Sequence, residues 1–261
     1  MTGGLALASR RSRHAAPPLV AVAHGSRDPR SAATIMRMLG MLRSMRPELD
    51  VRAAFLDLSA PRLGDVLGVL HAEGHREVVV VPLLLGAAYH ARIDIPGVVA
   101  GTVTTLPRLR VTVADVLGPD PRLEEIALRR LAEAGVDRTD EDFGVILAGA
   151  GSSHAPANAA VAAIARRWHT VTRWQATGAA FAAAADPGVA AATSALRAAG
   201  ARRIALGSWF LAPGLLPDRV IAQAGAGTVI AAPLGAHPQV AATVLDRYAE
   251  AQAAPPKIRS A

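Results

Sequence analysis

The chain has 261 residues, 51% of them hydrophobic and 19% charged, with a mean hydropathy of +0.28. That is enough apolar material for a large core in one or two domains, and too much for intrinsic disorder. There is no cysteine, which excludes disulfides, thiolate zinc sites, iron–sulfur clusters and a cysteine nucleophile.

The net charge of +7 favours anionic partners. Lys257 is the only lysine, so the positive charge is carried by arginine. Aromatic residues make up only 3%, and no long basic run falls on a helical pattern, so nucleic acid is not an expected partner. No apolar run approaches the roughly 20 residues that a membrane span needs. Residues 1–17 carry Arg10, Arg11, Arg13 and His14 without a continuous apolar segment, so no secretory signal is expected. A soluble, cytoplasmic protein without a membrane partner is the expectation.

Residues 19–24 predict a strand, and a helix follows over about 30–43. A second strand is expected at 51–56 and a helix at 61–72. Residues 77–85 are almost continuously apolar, the pattern of a strand covered on both faces. A helix near 95–104, a strand at 109–114 and a helix at 121–134 complete the first half. The polar, acidic stretch 135–142 is a natural boundary. The order then begins again: strand 144–149, helix 156–168, strand 171–181, helix 187–199, strand 203–211, short helix 217–224, strand 228–232 and helix 238–251. This alternation implies an α/β fold of two similar lobes, each a four-stranded parallel sheet flanked by helices. The expected organisation is a disordered tail at 1–17, lobes at 18–137 and 143–252, and a second tail at 253–261.

The two halves align without gaps at an offset of 126 residues. Gly25-Ser26 falls on Gly151-Ser152, Phe55 on Phe181 and Pro61 on Pro187. Between 55 and 85 the halves share 7 of 31 positions, and Leu117-Gly118 recurs as Leu234-Gly235. The shared order of elements carries the inference further than the identities do. It points to a duplicated lobe, a pseudo-twofold axis and a cleft between the lobes. Open parallel sheets bind ligands beyond the carboxyl ends of their strands, so the chemistry is expected there.

Two histidines stand at such ends. The first strand leaves the sheet through Ala23-His24-Gly25-Ser26-Arg27, where small residues allow close approach to a ligand. The third leads from Pro82 through Leu83, Leu84, Leu85, Gly86, Ala87, Ala88 and Tyr89 to His90, then to Arg92 and Asp94-Ile95-Pro96. The fold brings both histidines to one rim, as a metal-ligand pair or as a base with a ligand. Their counterparts in the second half are Ala150 and Leu216, so that lobe reads as catalytically silent. His14 reads as tail, His71, His75 and His169 as solvated helix ends. His154 and His237 read as polar loop residues, and His154 is expected to be dispensable. Other motifs fail. There is no G-x-x-x-x-G-K-[ST] phosphate loop and no G-x-S-x-G elbow. Gly149-Ala-Gly151 begins a dinucleotide fingerprint, but His154 stands where its last glycine belongs.

Taken together, His24-Gly25-Ser26-Arg27, Phe55-Leu56-Asp57-Leu58 with Pro61, Val81-Pro82 through His90 to Asp94-Ile95-Pro96, and the two Leu-Gly pairs resemble the sirohydrochlorin chelatase family of the CbiX and SirB type. The resemblance covers about residues 19–250. It implies two α/β lobes facing across a cleft, and a lyase that inserts Co²⁺ or Fe²⁺ into sirohydrochlorin for cobalamin or sirohaem. It implies His24 as proton acceptor and metal ligand, and His90 as the second metal ligand. Ser26, Arg27, Asp57 and the segment Leu85, Gly86, Ala87, Ala88, Tyr89 and His90 would meet the tetrapyrrole. Asp57 stands where many members have Glu, and Ala88 near where many have Gly. The metal would be a substrate, with no permanently bound cofactor, and the protein a monomer or homodimer. The residues agree with such chemistry. An imidazole of ordinary pKa near 6.5 can take a proton or hold a divalent metal near neutral pH. Two histidines make an open site suited to handing a metal over. Arginines, with Arg27 and Arg92 nearest, suit a polycarboxylate. A non-catalytic tetrapyrrole or metal carrier on the same fold is the alternative, and an unrelated phosphate-ligand binder is disfavoured by the missing glycine-rich loop.

Overall fold

Five consecutive apolar residues form β1 (Leu19–Ala23), and all five are buried. Alternation explains why both faces are apolar. Leu19, Ala21 and Ala23 point into one core, and Val20 and Val22 into another. The computed structural model describes residues 16–86 and 90–253; the side chain of His90 lies outside the described residues. The first half continues with α1 (Pro29–Met45), β2 (Val51–Phe55), α2 (Leu63–Ala72) and β3 (Glu77–Pro82). One π-helical turn (His90–Asp94) then runs into α3 (Ile95–Thr105), β4 (Arg110–Val113) and α4 (Pro121–Glu133). The second half holds β5 (Phe143–Gly149), α5 (Ala155–Val171), β6 (Ala176–Phe181), α6 (Val189–Ala198), β7 (Arg203–Ser208), α7 (Leu215–Ala222), β8 (Val229–Ile230) and α8 (Pro238–Ala253). No helix among the described residues is long and apolar enough to cross a membrane.

The two sheets are parallel throughout, with orders β2-β1-β3-β4 and β6-β5-β7-β8. The same order in both halves bears out the duplication. Backbone details repeat at the same offset. Gly25 and Gly151 have φ of +97° and +81°, Gly74 and Gly200 both +99°, and Leu58 and Ala184 have 60° and 57°. Local chemistry starts the helices. Asp28 caps α1 by accepting from Arg30 N at 2.9 Å, and Asp120 caps α4 through Arg122 N at 2.9 Å. Each is followed by a proline, whose missing N–H costs nothing at a helix start.

The last helix of each half crosses to the other sheet. α4 packs on β7, while α8 packs on β3 and α1. One core consequently holds Leu19 and Val79 of the first sheet with Phe143 and Val145 of the second. The exchange is reciprocal in its polar contacts. Arg130 donates to Leu234 O at 3.1 Å, and Arg247 to Leu117 O at 3.5 Å.

Boundaries differ from the sequence expectation in five places. β3 stops at Pro82 and β7 at Ser208, three residues early in each case, because both segments then leave the sheet to line the cleft. Residues 171–175 are not strand. α5 continues to Val171, and Trp174 closes the turn with its indole N–H donating to Asp137 O at 2.8 Å. Pro17, expected in a disordered tail, is tied down by the Tyr248 hydroxyl, which donates to its carbonyl at 2.6 Å. α8 runs on to Ala253. The remaining tail residues, 1–15 and 254–261, lie outside the described residues.

Tyr248 also gives a pH-dependent test. It is 2% exposed, and burial pushes its phenol up to about 12. The folded state therefore favours the neutral phenol. That stability is complete below the ordinary value of 10.0 and fades as pH rises through about 12. Tyr248→Phe should lower the unfolding free energy by about 1 kcal/mol at neutral pH and flatten the alkaline decline. Urea denaturation at neutral pH and near pH 11 measures both. An unchanged midpoint would show that the bond to Pro17 contributes nothing.

Candidate functional site

Where β1 ends, His24 leaves the sheet into a tightly supported loop. A Cβ added at Gly25 would lie 1.6 Å from the carbonyl oxygen of Asp57, so only glycine lets the loop touch the β2–α2 turn. Asp57 N donates to His24 O at 2.8 Å. Ser59 completes the clamp: its hydroxyl accepts from Ser26 N at 3.1 Å and donates to Ser26 O at 3.0 Å. The Ser26 hydroxyl accepts from Asp28 N at 3.0 Å, which links the loop to the start of α1.

This loop forms one wall of a cleft of about 500 Å³ between the halves. His24 is half-buried on that wall, beside Ser26, the exposed Arg27, Leu85 and Gly86. The fold thus brings five of the expected site residues to one cavity. Ala87, Ala88, Tyr89 and the imidazole of His90 lie outside the described residues, so the expected metal pair is described on its His24 side alone. The Leu-Gly pair backs this wall. Leu117 N donates to Leu84 O at 2.9 Å, and Gly118 sits so close that an added Cβ would come 2.7 Å from Leu85 O.

Asp57 sits in the supporting turn and is not among the residues lining the cleft; its neighbour Leu58 lines it instead. The Asp57 carboxylate accepts from Leu58 N and from Arg62 Nη1, each at 2.8 Å. These two bonds, with the Arg62 charge, hold its pKa below the usual carboxylate range.

The opposite wall comes from the second half. Gly151 repeats the tight approach, with an added Cβ 1.9 Å from Ala183 O, and Asn158 does the work of Ser59. Asn158 accepts from Ser152 N at 3.0 Å and donates to Ser152 O at 2.7 Å. Ala150 and Leu216 line the cleft at the positions equivalent to His24 and His90. This wall is largely apolar, with Phe181, Trp209 and Phe210 contributing. The sequence reading placed Trp209 and Phe210 within a strand. The nearest signal is the 126-residue offset, which lays Trp209 and Phe210 on Leu83 and Leu84, immediately before the segment 85–90 expected to meet the tetrapyrrole.

Two arginines of the first half reach across the cleft. Arg30 pairs with Asp28 of its own lobe and with Asp218 of α7. Arg92 Nη1 lies 3.1 Å from His154 Nε2, at the start of α5. His154 is thereby corrected from a loop residue without a partner to a cross-cleft contact. Away from the cleft, Asp50, Glu73 and His75 are the group of three among the described residues with atoms close enough to share a metal. Arg52 already bridges both carboxylates, at 2.6 Å to Asp50 and 2.9 Å to Glu73. The group lies before β2 and β3, at the opposite strand ends from His24.

The CbiX family model matches residues 18–134 and 144–251. The sirohydrochlorin ferrochelatase of Priestia megaterium is 32% identical over 135 residues, covering 51% of this chain and 49% of that relative. A sirohydrochlorin cobaltochelatase of the same organism is 26% identical over 205 residues, covering 76% of this chain and 65% of its own length. The chain thus spans about half of the first relative and just under two thirds of the second. In fold, it superposes on SirB from Bacillus subtilis with Fe³⁺ at a TM-score of 0.77 and 22% identity, over 91% of this chain and 96% of that one. With the family's pattern matched across both halves, and with the fold found to follow it, the chain belongs to the CbiX family.

Proposed function

We propose that this protein is a sirohydrochlorin chelatase, a lyase that inserts Co²⁺ or Fe²⁺ into the polycarboxylate macrocycle. The observation that carries the proposal is His24, half-buried at the end of β1 on the wall of a two-lobed cleft whose facing residue positions hold no equivalent histidine. The names of the related curated proteins agree with it. In this reading the apolar wall of Phe181, Trp209 and Phe210 receives a face of the macrocycle. His24 accepts a pyrrole proton and, with His90, presents the incoming metal. Ser26, Arg27 and the segment 85–90 contact the tetrapyrrole, with Asp57 acting through the turn it stabilises. Because one chain supplies both walls, a monomer has a complete cleft. Cytoplasmic location is part of the proposal.

Incubation with sirohydrochlorin and Co²⁺ or Fe²⁺ tests it. The change in the tetrapyrrole absorption spectrum should run faster than without protein. Binding of sirohydrochlorin without acceleration would identify a carrier instead, and absence of binding would overturn both readings.

A further inference from the structure

The internal two-fold relates the two contacts that cross the cleft. Under the 126-residue offset, position 28 corresponds to 154 and position 92 to 218. Arg30, held by the cap residue Asp28, meets Asp218. At the symmetry-related place, Arg92 meets the cap residue His154 at 3.1 Å. The places 28/218 and 154/92 are thus symmetry mates, although Arg30 itself maps onto Pro156, so the arginine comes from α1 in one place and from position 92 in the other. The two places are the same in the fold but opposite in chemistry.

At the first place an arginine is held between two carboxylates, one of them a helix cap. A further carboxylate would gain little there and would meet two like charges. At the second place the partner of the arginine is an imidazole. Arginine has only N–H donors, so His154 Nε2 is the acceptor in this contact. A bond from a guanidinium to an uncharged acceptor is weaker than one to a carboxylate, which can take both arms of the fork. Arg92 would therefore exchange His154 for an incoming carboxylate, while Arg30 would keep its partners. Arg92 also lies two residues after His90, in the middle of the π-helical turn that runs into α3.

We infer that Arg92 is the residue that recognises a carboxylate of the tetrapyrrole at the cleft mouth, and that His154, from the lobe without catalytic histidines, is the positioning residue that holds Arg92 ready for it. This rests on the chelatase reading and assigns the second lobe a part in substrate selection. Two features support it beyond the contact itself. The pairing joins the two lobes across 62 positions of chain, and its symmetry mate is already saturated with carboxylates.

The test is a double-mutant cycle read in two ways: steady-state kinetics with Co²⁺, and direct absorbance titration of sirohydrochlorin without metal. Arg92→Ala should raise KM and the tetrapyrrole Kd by about 10-fold or more, as expected for losing a charge-assisted bond. His154→Ala should raise both by about 3- to 10-fold through loss of preorganisation, with kcat unchanged. His154→Gln, whose amide oxygen can accept from Arg92, should restore much of the loss. The double variant should be no worse than Arg92→Ala alone. Additive effects, an unchanged KM in His154→Ala, or a fall in kcat in place of a rise in KM would overturn the inference. If those results came with wild-type turnover, the chelatase reading would stand without it. If wild-type protein bound sirohydrochlorin without turnover, the titration arm would still decide the cycle.

Discussion

Replacing His24 with alanine is expected to slow metal insertion by about 10²–10⁴-fold, the range for loss of a positioned general base. The effect should be large because no other group among the described residues around it is placed to take over. The equivalent residue across the cleft is Ala150, and the nearby Asp57 carboxylate is turned onto Arg62 and the Leu58 amide. A carboxylate held below its usual pKa is a poor proton acceptor near neutral pH. The fold should survive, since the loop is fixed by the backbone of Gly25 and Ser26 and by the His24 carbonyl, none of which the substitution removes. His90→Ala should act differently. It should mainly weaken metal capture, so added Co²⁺ should recover part of the rate. Stopped-flow absorbance under single-turnover conditions separates the two, with circular dichroism as the check on folding. A His24→Ala protein within about three-fold of wild type would remove His24 from the chemistry.

The sheet was legible where burial is two-sided. β1, β3 and β5 are apolar at almost every position because helices cover both faces of each sheet. β6 was misplaced for the converse reason. Its Ala-Thr-Gly-Ala-Ala-Phe sequence has no contrast between faces, while the β-branched Val171 and Thr172 before it mimic a strand start. Val171 is in fact 63% exposed at the end of α5, a helix anchored one turn earlier by the buried Trp168. The exchange of α4 and α8 between lobes left no local trace. An apolar stripe shows that a helix buries one face, and it does not say against which sheet.

The same distinction divides the site. His24 could be found because its place, the carboxyl end of a central strand, is set by local sequence. His154 could not, because its meaning comes from Arg92 across the cleft. Trp209 and Phe210 lay between these cases. Locally they extend a strand, and the internal offset sets them just before the segment expected to line the cleft, whereas the fold puts them on its wall. Asp57 shows the limit of position by motif: its place in the turn matches expectation, but its carboxylate serves the turn itself.

Gly25→Ala and its symmetry mate Gly151→Ala should separate folding from chemistry. Each glycine has positive φ, +97° and +81°, which costs an alanine about 1–2 kcal/mol. Each added Cβ would also strike a carbonyl oxygen, at 1.6 Å from Asp57 O and 1.9 Å from Ala183 O. Both obstacles are backbone atoms, so relief requires the loop and the following turn to part, at a further cost of about 1–3 kcal/mol. Both variants should therefore lose about 2–5 kcal/mol of stability in urea denaturation. They should differ in activity per folded molecule. Parting at Gly25 breaks the bond from Asp57 N to His24 O and shifts the imidazole beside it, so kcat should fall at least ten-fold. Parting at Gly151 moves Ala150, which carries no reacting group, so kcat in the folded fraction should stay within a few-fold of wild type. Equal losses of kcat in the two variants would mean that the second lobe holds chemistry of its own, and a Gly25→Ala protein of wild-type stability would mean that the clamp on the His24 loop is not rigid.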